Sequence, residues 1–309
     1  MLKNHYYSKL SKEEKDVYDA LLEGYLKRKK IFGISSFPTK AIIEALNIEH
    51  PELFYVNITQ IVSIDGIDGN VYIKPRYLYS IKEEQSVLNK AKSIVRRLKS
   101  DDYEMTVRNI HNYFVRYIEY DNAELEPNIA KRENHSIYGV FKNSMAVCEG
   151  FSKAFSYMLF LCGIDCTCVQ GTKNGNGHMW NVVNLQGRNY HIDVTNDIGA
   201  TEKNCKKPRY FYYLVTDDVM KRNFDFNEQF YCYSTEMNLF YHYKRVFFNK
   251  SELKSYLTSI SPNADTVYFQ YMGKDMSYAE MKTFVDLYLP FSYQSTQVNP
   301  QKTIYYFDR

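Results

Sequence analysis

Apolar residues recur at three- and four-residue steps in several stretches of this chain. Each such stripe predicts a helix with one buried face. Around 147–162 the stripe is Val147, Phe151, Phe155, Met158 and Leu159, and Gly163 suits the left-handed residue that closes a helix. Residues 11–28 place Val17, Tyr18, Leu21, Leu22, Tyr25 and Leu26 on one face, opened by a capping box of Ser11 and Glu14. Residues 38–47, with Pro38 at the first position, and residues 82–99 and 102–119 repeat the pattern. His111 falls on the flank of the last of these and reads as a packing or surface residue.

Elsewhere the period drops to two, and strands are expected. Residues 53–64 and 70–75 are β-rich about an Asp-Gly turn region. That region lacks the ligand spacing and closing Glu of a calcium loop, so Asp65-Gly66 and Asp68-Gly69 read as a turn. Residues 178–185 and 190–195 flank a turn at Gln186-Gly187, and residues 208–215 read as a further strand. Residues 121–133 and 196–208 are polar and loop-like, and 172–177 reads as a loop beside the candidate site. After about Tyr241 the order is strand 241–248, helix 251–260, strand 266–272, helix 278–289 and strand 303–307, a β-α-β-α-β unit. The class is α+β. Residues 1–82 form an N-terminal helix and hairpin extension, 83–240 a core, and 241–309 a small C-terminal unit.

Composition narrows the function classes. The 309 residues are 45% hydrophobic and 24% charged, an ordinary globular balance. With 30 Tyr and 19 Phe, aromatic area builds several small cores. A net charge of +3 does not argue for nucleic acid or an anionic membrane. No run of about 18 apolar residues is present, and the first residues carry no apolar leader core, so a cytoplasmic protein is expected, with secretion after removal of a leader as the alternative. Six cysteines are too few for a disulfide framework, although a bridge such as Cys166–Cys205 stays open. Cys162, Cys166 and Cys168 with His178 are the nearest approach to a metal set, but no paired C-x-x-C modules occur, so neither metal nor cofactor is expected.

The chemistry gathers between Ser144 and Asp197. Cys148 falls in the first turn of a helix, where unpaired N–H groups carry partial positive charge. A thiolate is stabilised there, and the small and polar neighbours Ala146, Glu149, Gly150 and Ser152 leave the sulfur accessible. A two-residue turn pairs Leu185 with Arg188 and brings Trp180 opposite Asp193. His178 and Asp193 then share one face as diagonal neighbours, which permits an Asp–His hydrogen bond and leaves the other ring nitrogen for a thiol. The remaining cysteines read as small buried hydrophobes.

The motifs V-C-E-G-F-S-K-A-F, H-M-W-N and Y-H-I-D-V-T, in this order, resemble the transglutaminase-like family of the papain-like cysteine peptidase group, in its bacterial type. I-H-N-Y-F-V-R-Y-I-E-Y-D and S-I-Y-G-V-F resemble the helix and lead-in before the family's cysteine, so the likeness spans about residues 85–220. It implies a transglutaminase/papain-like core with Cys148 as nucleophile, His178 as general base and Asp193 as the orienting carboxylate. It implies an acyl-transfer enzyme acting on protein or peptide amides, by hydrolysis, deamidation or cross-linking, without a cofactor. The family's upstream tryptophan is missing, since Trp180 is the single Trp. The Cys148 N–H is then the first oxyanion donor, with Tyr138, Lys142 and Asn143 as candidates for the second. The alternative is a non-catalytic peptide- or glycan-binding module on the same cleft. The oligomeric state is open.

Overall fold

The computed structural model describes residues 2–65, 69–122, 132–199, 208–274, 276–299 and 302–309. The centre of the Asp-Gly turn, most of the loops at 121–133 and 196–208, and Cys205 lie outside them. At the middle, the helix Cys148–Cys162 packs on an antiparallel five-stranded sheet. The strand order is Phe224–Asp225, Cys166–Lys173, Asn176–Leu185, Arg188–Ile192, Tyr213–Val215. Helices Ile81–Leu98 and Tyr103–Tyr117 also pack on the central helix. Enclosed from several sides, it buries Phe151, Phe155, Met158 and Leu159 together with Ser152, Lys153 and Ser156. A helix apolar on most of its surface is stable only in such a setting. The arrangement is a helix packed on an antiparallel sheet, a core of the α+β class.

Local chemistry sets the element ends. Ser11 and Ser80 close capping boxes with Glu14 and Glu83, and the Asp102 side chain accepts from the Met105 N–H. Gly163 ends the central helix at φ 79°, a conformation that glycine adopts without a Cβ penalty. Gln186 and Gly187 have φ 54° and 78°, as a two-residue primed turn requires, and Leu185 pairs with Arg188 as expected.

Several expectations are corrected. Residues 194–195 do not continue a strand, because the helix Val194–Gly199 begins directly after Asp193. The second helix starts at Lys40 with Thr39 as its cap, so Pro38 precedes the cap. Residues 51–55 form a 3-10 turn, and the N-terminal sheet has three strands, Phe32–Ile34 joining Val71–Lys74 and Val62–Asp65. Residues 241–248 break into the turn of helix Leu239–His242 and the short strand Val246–Phe247. The C-terminal sheet also gains Ser295–Val298, in the order Val246–Phe247, Thr266–Tyr271, Ile304–Asp308, Ser295–Val298. Helices Lys250–Ser259 and Tyr278–Tyr288 cover an apolar cluster that includes Phe247, Leu253, Phe269, Met281 and Phe307. A buried Arg209–Asp308 ion pair ties this unit to the chain before the strand Tyr213–Val215. Among the described residues no helix is long and apolar enough to cross a membrane.

The central helix is also held at its first turn. Val147 donates its N–H to the Asn134 carbonyl, 3.0 Å away, and a Cβ on Gly150 would stand 2.2 Å from that same oxygen. Gly150→Ala is therefore expected to lose about 1–3 kcal/mol of stability through overpacking against backbone. Urea unfolding of the variant checks this, and wild-type stability would refute the close approach.

Candidate active site

Cys148 is the first residue of the central helix, a free cysteine that is half-buried. A short lead-in aims it. Residues 139–143 form a π turn, Ser144 takes φ 56°, and Met145–Ala146 pairs in parallel with Glu119–Tyr120. Val147 caps the helix in extended conformation without a side-chain cap bond, so its own side chain occupies none of the first-turn N–H groups. One turn on, the single hydroxyl hydrogen of Ser152 is shared between the carbonyls of Cys148 at 2.8 Å and Met179 at 2.9 Å. Asn181 donates back to the Ser152 carbonyl at 2.9 Å. These bonds lock the cysteine turn to the strand that carries His178. Next to the cysteine, Glu149 accepts from Lys153 at 2.6 Å and Asn47 at 3.2 Å, and its other oxygen lies 3.0 Å from His135 Nδ1. Burial disfavours the Glu149 charge, but His135 and Lys153 prevail and pull its pKa down to about 2. Glu149 is thus a fixed anion that anchors the cysteine turn.

His178 and Asp193 meet as their spacing implies. His178 Nε2 lies 2.8 Å from Asp193 Oδ2. The carboxylate only accepts, so Nε2 carries the hydrogen and Nδ1 is the nitrogen left for the thiol. Cys148 also bears on the ring and favours its protonated form. Asp193 has no solvent exposure. It also caps the helix Val194–Gly199, with Oδ1 accepting from the Asn196 N–H at 3.1 Å. The Asn196 amide N–H bonds Asp193 Oδ2, and its carbonyl accepts from Lys173. An ammonium on one side and a carboxylate on the other fix which way that amide points.

Charge follows geometry. Burial opposes a charged His178, but the Asp193 carboxylate and then Cys148 outweigh it and raise the pKa from 6.5 to about 10. Burial likewise opposes ionised Asp193, and His178 and Asn196 reverse this, leaving its pKa below the ordinary value. An imidazolium held by a buried carboxylate beside a thiol can stabilise a thiolate, and it can return a proton to a leaving group.

A second Cys-His-Asp group lies deeper. His191, Asp217 and Cys232 are buried and bring their polar atoms within 4.8 Å of one another, a spacing that could hold a metal ion. His191 Nδ1 accepts from Trp180 Nε1–H at 3.0 Å, so Nε2 of the neutral ring carries the hydrogen and donates it to Asp217 at 2.8 Å. No lone pair on that ring remains for an ion. Burial and then Asp217 push the Cys232 thiol far up, which makes it a poor nucleophile. Of the two cysteines, Cys148 is half-buried and Cys232 is fully buried.

Other sequence candidates fall into place. Cys162, Cys166 and Cys168 are buried free thiols. Tyr138 stacks on Tyr79 at 4.3 Å, while Lys142 and Asn143 are exposed. His111 is buried and 2.9 Å from Asp197, whose pKa burial raises to about 6 despite that partner. Sequence reasoning gave no role to Asn181 or Asn196, and it read Glu149 and Ser152 only as neighbours that leave the sulfur accessible, whereas both are tied into hydrogen bonds. The available signals were polar residues on buried faces and an Asp-x-x-Asn spacing at a helix start.

Residues 90–194 match the model of the transglutaminase-like superfamily. That span holds Cys148, His178 and Asp193 and ends before Asp217 and Cys232. Human kyphoscoliosis peptidase is 25% identical over 173 residues, which cover 48% of this chain and 26% of that protein. The chain thus spans about a quarter of the length of this curated relative. A crystal structure described as a TGase aligns with 13% identity and a TM-score of 0.33, over 56% of this chain and 53% of that one. The periplasmic domain of TgpA from Pseudomonas aeruginosa aligns with 13% identity and a TM-score of 0.29, over 41% and 53%. Similarity this low adds nothing to the assignment.

Protonated His178 favours the folded state. That contribution is complete below pH 6.5 and fades as pH rises through about 10. Ionised Asp193 contributes above the ordinary carboxylate range and is lost in acid, as pH falls through its depressed value. Asp193→Asn should lower the His178 titration midpoint by about 1–3 pH units. NMR titration of imidazole-labelled protein reads it, with His178→Gln assigning the signal. An unmoved midpoint would show that Asp193 does not hold the ring.

Proposed function

We propose that this protein is a cysteine-dependent acyl-transfer enzyme acting on protein or peptide amides. The observation that carries the reading is His178, bonded to a fully buried Asp193 on one side and influenced on the other by Cys148, a half-buried cysteine at a helix start. The Cys148 thiolate attacks the amide carbonyl carbon. The carbon–oxygen π pair moves onto oxygen, and the Cys148 N–H at the helix start is the first donor to it. When the oxyanion collapses, the carbon–nitrogen bond breaks and His178 gives its proton to the departing amine. A thioester to Cys148 remains. Neutral His178 then takes a proton from water or from a second amine, which attacks the thioester, and Cys148 leaves as thiolate. Water completes hydrolysis or deamidation, and a lysine amine completes a cross-link. The chemistry draws on no group beyond these side chains and the backbone. The partner is a polypeptide, and a non-catalytic module on the same cleft is the competing reading.

Two measurements separate these readings. Iodoacetamide at neutral pH should alkylate Cys148 ahead of the buried thiols, and His178→Gln should slow this reaction. A peptide panel scored for cleavage, ammonia release and dansylcadaverine incorporation should give a signal that Cys148→Ala lowers by about 10³-fold or more. Full activity in Cys148→Ala would sink the proposal. Peptide binding with no turnover in any channel would favour the binding module.

A further inference from the structure

The buried groups behind His178 form a line that the proposed mechanism does not use. The Trp180 indole stacks on the imidazole, with centroids 5.9 Å apart and planes within 20°. Trp180 is 1% exposed and wedged against Gly171, where a Cβ would stand 2.7 Å from the indole edge. Phe224 and Phe226 close two further sides, at 5.3 and 5.4 Å. The indole N–H donates to His191 Nδ1, and His191 Nε2 donates to Asp217. The backbone N–H of Asp217 bonds the Cys232 carbonyl at 2.8 Å, and the Cys232 sulfur lies within 4.8 Å of the Asp217 carboxylate. Burial and then the nearby Lys221 keep His191 neutral, and Asp217 does not overturn this.

We infer that Trp180 and His191 are positioning residues for His178: His191, its tautomer fixed by Asp217, holds the indole in one orientation, and the indole face holds the imidazole plane so that Nε2 meets Asp193 and Nδ1 meets Cys148. The inference rests on the role given to His178 above. A ring held at Nε2 alone can still swing about that bond. A flat partner on its face removes this freedom, and an indole face also favours the imidazolium that the pair with Cys148 requires. The indole in turn has a single polar handle, and His191 takes it. The charged and titratable groups that bear on His178 are Asp193 and Cys148, with Lys173 one step away through Asn196. His191 reaches His178 only through the indole.

The test uses three variants of the full chain. His191→Phe removes the acceptor and fills the space. Trp180→Phe keeps a ring and removes the N–H. His191→Asn keeps an acceptor near Nδ1. Each is read by the NMR titration midpoint of His178, the pH profile of Cys148 alkylation by iodoacetamide, and thermal stability. We expect His191→Phe and Trp180→Phe to lower the His178 midpoint by about one pH unit, a tenfold loss of proton affinity. Both should slow alkylation at pH 6 to a similar degree, and His191→Asn should restore both readouts. Should His191→Phe fail to fold, Trp180→Phe against His191→Asn gives the same comparison. A midpoint unmoved in variants that lose only thermal stability would overturn the inference. An unreactive Cys148 in the wild type would instead overturn the proposed function, while the His178 midpoints would still judge the positioning role.

Discussion

The site depends on a carboxylate with no access to water. An ionised Asp193 in such a place is costly unless every lone pair meets a donor. Its partners come from two residues. Asn196, in the helix Val194–Gly199, supplies both its backbone N–H and its side-chain amide, and His178 on the strand Asn176–Leu185 supplies Nε2–H. The backbone of Asp193 is fixed as well, since its N–H bonds the Tyr212 carbonyl on the way to the strand Tyr213–Val215. Starting a helix at Val194 is what lets one residue serve as both helix cap and imidazole partner.

A second constraint joins the two halves of the site. The cysteine belongs to a helix and the histidine to a strand, so their spacing depends on how the two elements meet. Ser152 and Asn181 settle that with bonds between the helix and the H-M-W-N strand. Each residue of this tetrapeptide has a separate task. His178 faces Asp193, the Met179 carbonyl accepts from Ser152, Trp180 backs the imidazole, and Asn181 bonds the helix.

The two Cys-His-Asp groups show how surroundings decide chemistry. Both offer a thiol, an imidazole and a carboxylate within a small volume. Around Cys232 the histidine is locked neutral by an indole donor, and burial keeps the thiol protonated. Around Cys148 the histidine is driven toward its charged form and the cysteine is only half-buried. Residue type alone does not separate them. The direction of one indole N–H and the depth of one sulfur do.

Much of this was legible in the chain itself. The stripe from Val147 to Leu159, Gly163, the capping boxes and the Gln186-Gly187 turn are local signals. Local energetics dictated the central helix, the hairpin register and the Asp193–His178 pairing, because period and turn type constrain which side chains share a face. Tertiary structure alone decided that residues 194–195 enter a helix, that His111 is buried on Asp197, and that Ser152 and Asn181 clamp the helix to the strand. It also decided that Trp180, His191, Asp217 and Cys232 stand in line behind the imidazole. Those contacts join residues far apart in sequence, and burial and the competition for each hydrogen-bond partner are properties of packing that no local pattern encodes.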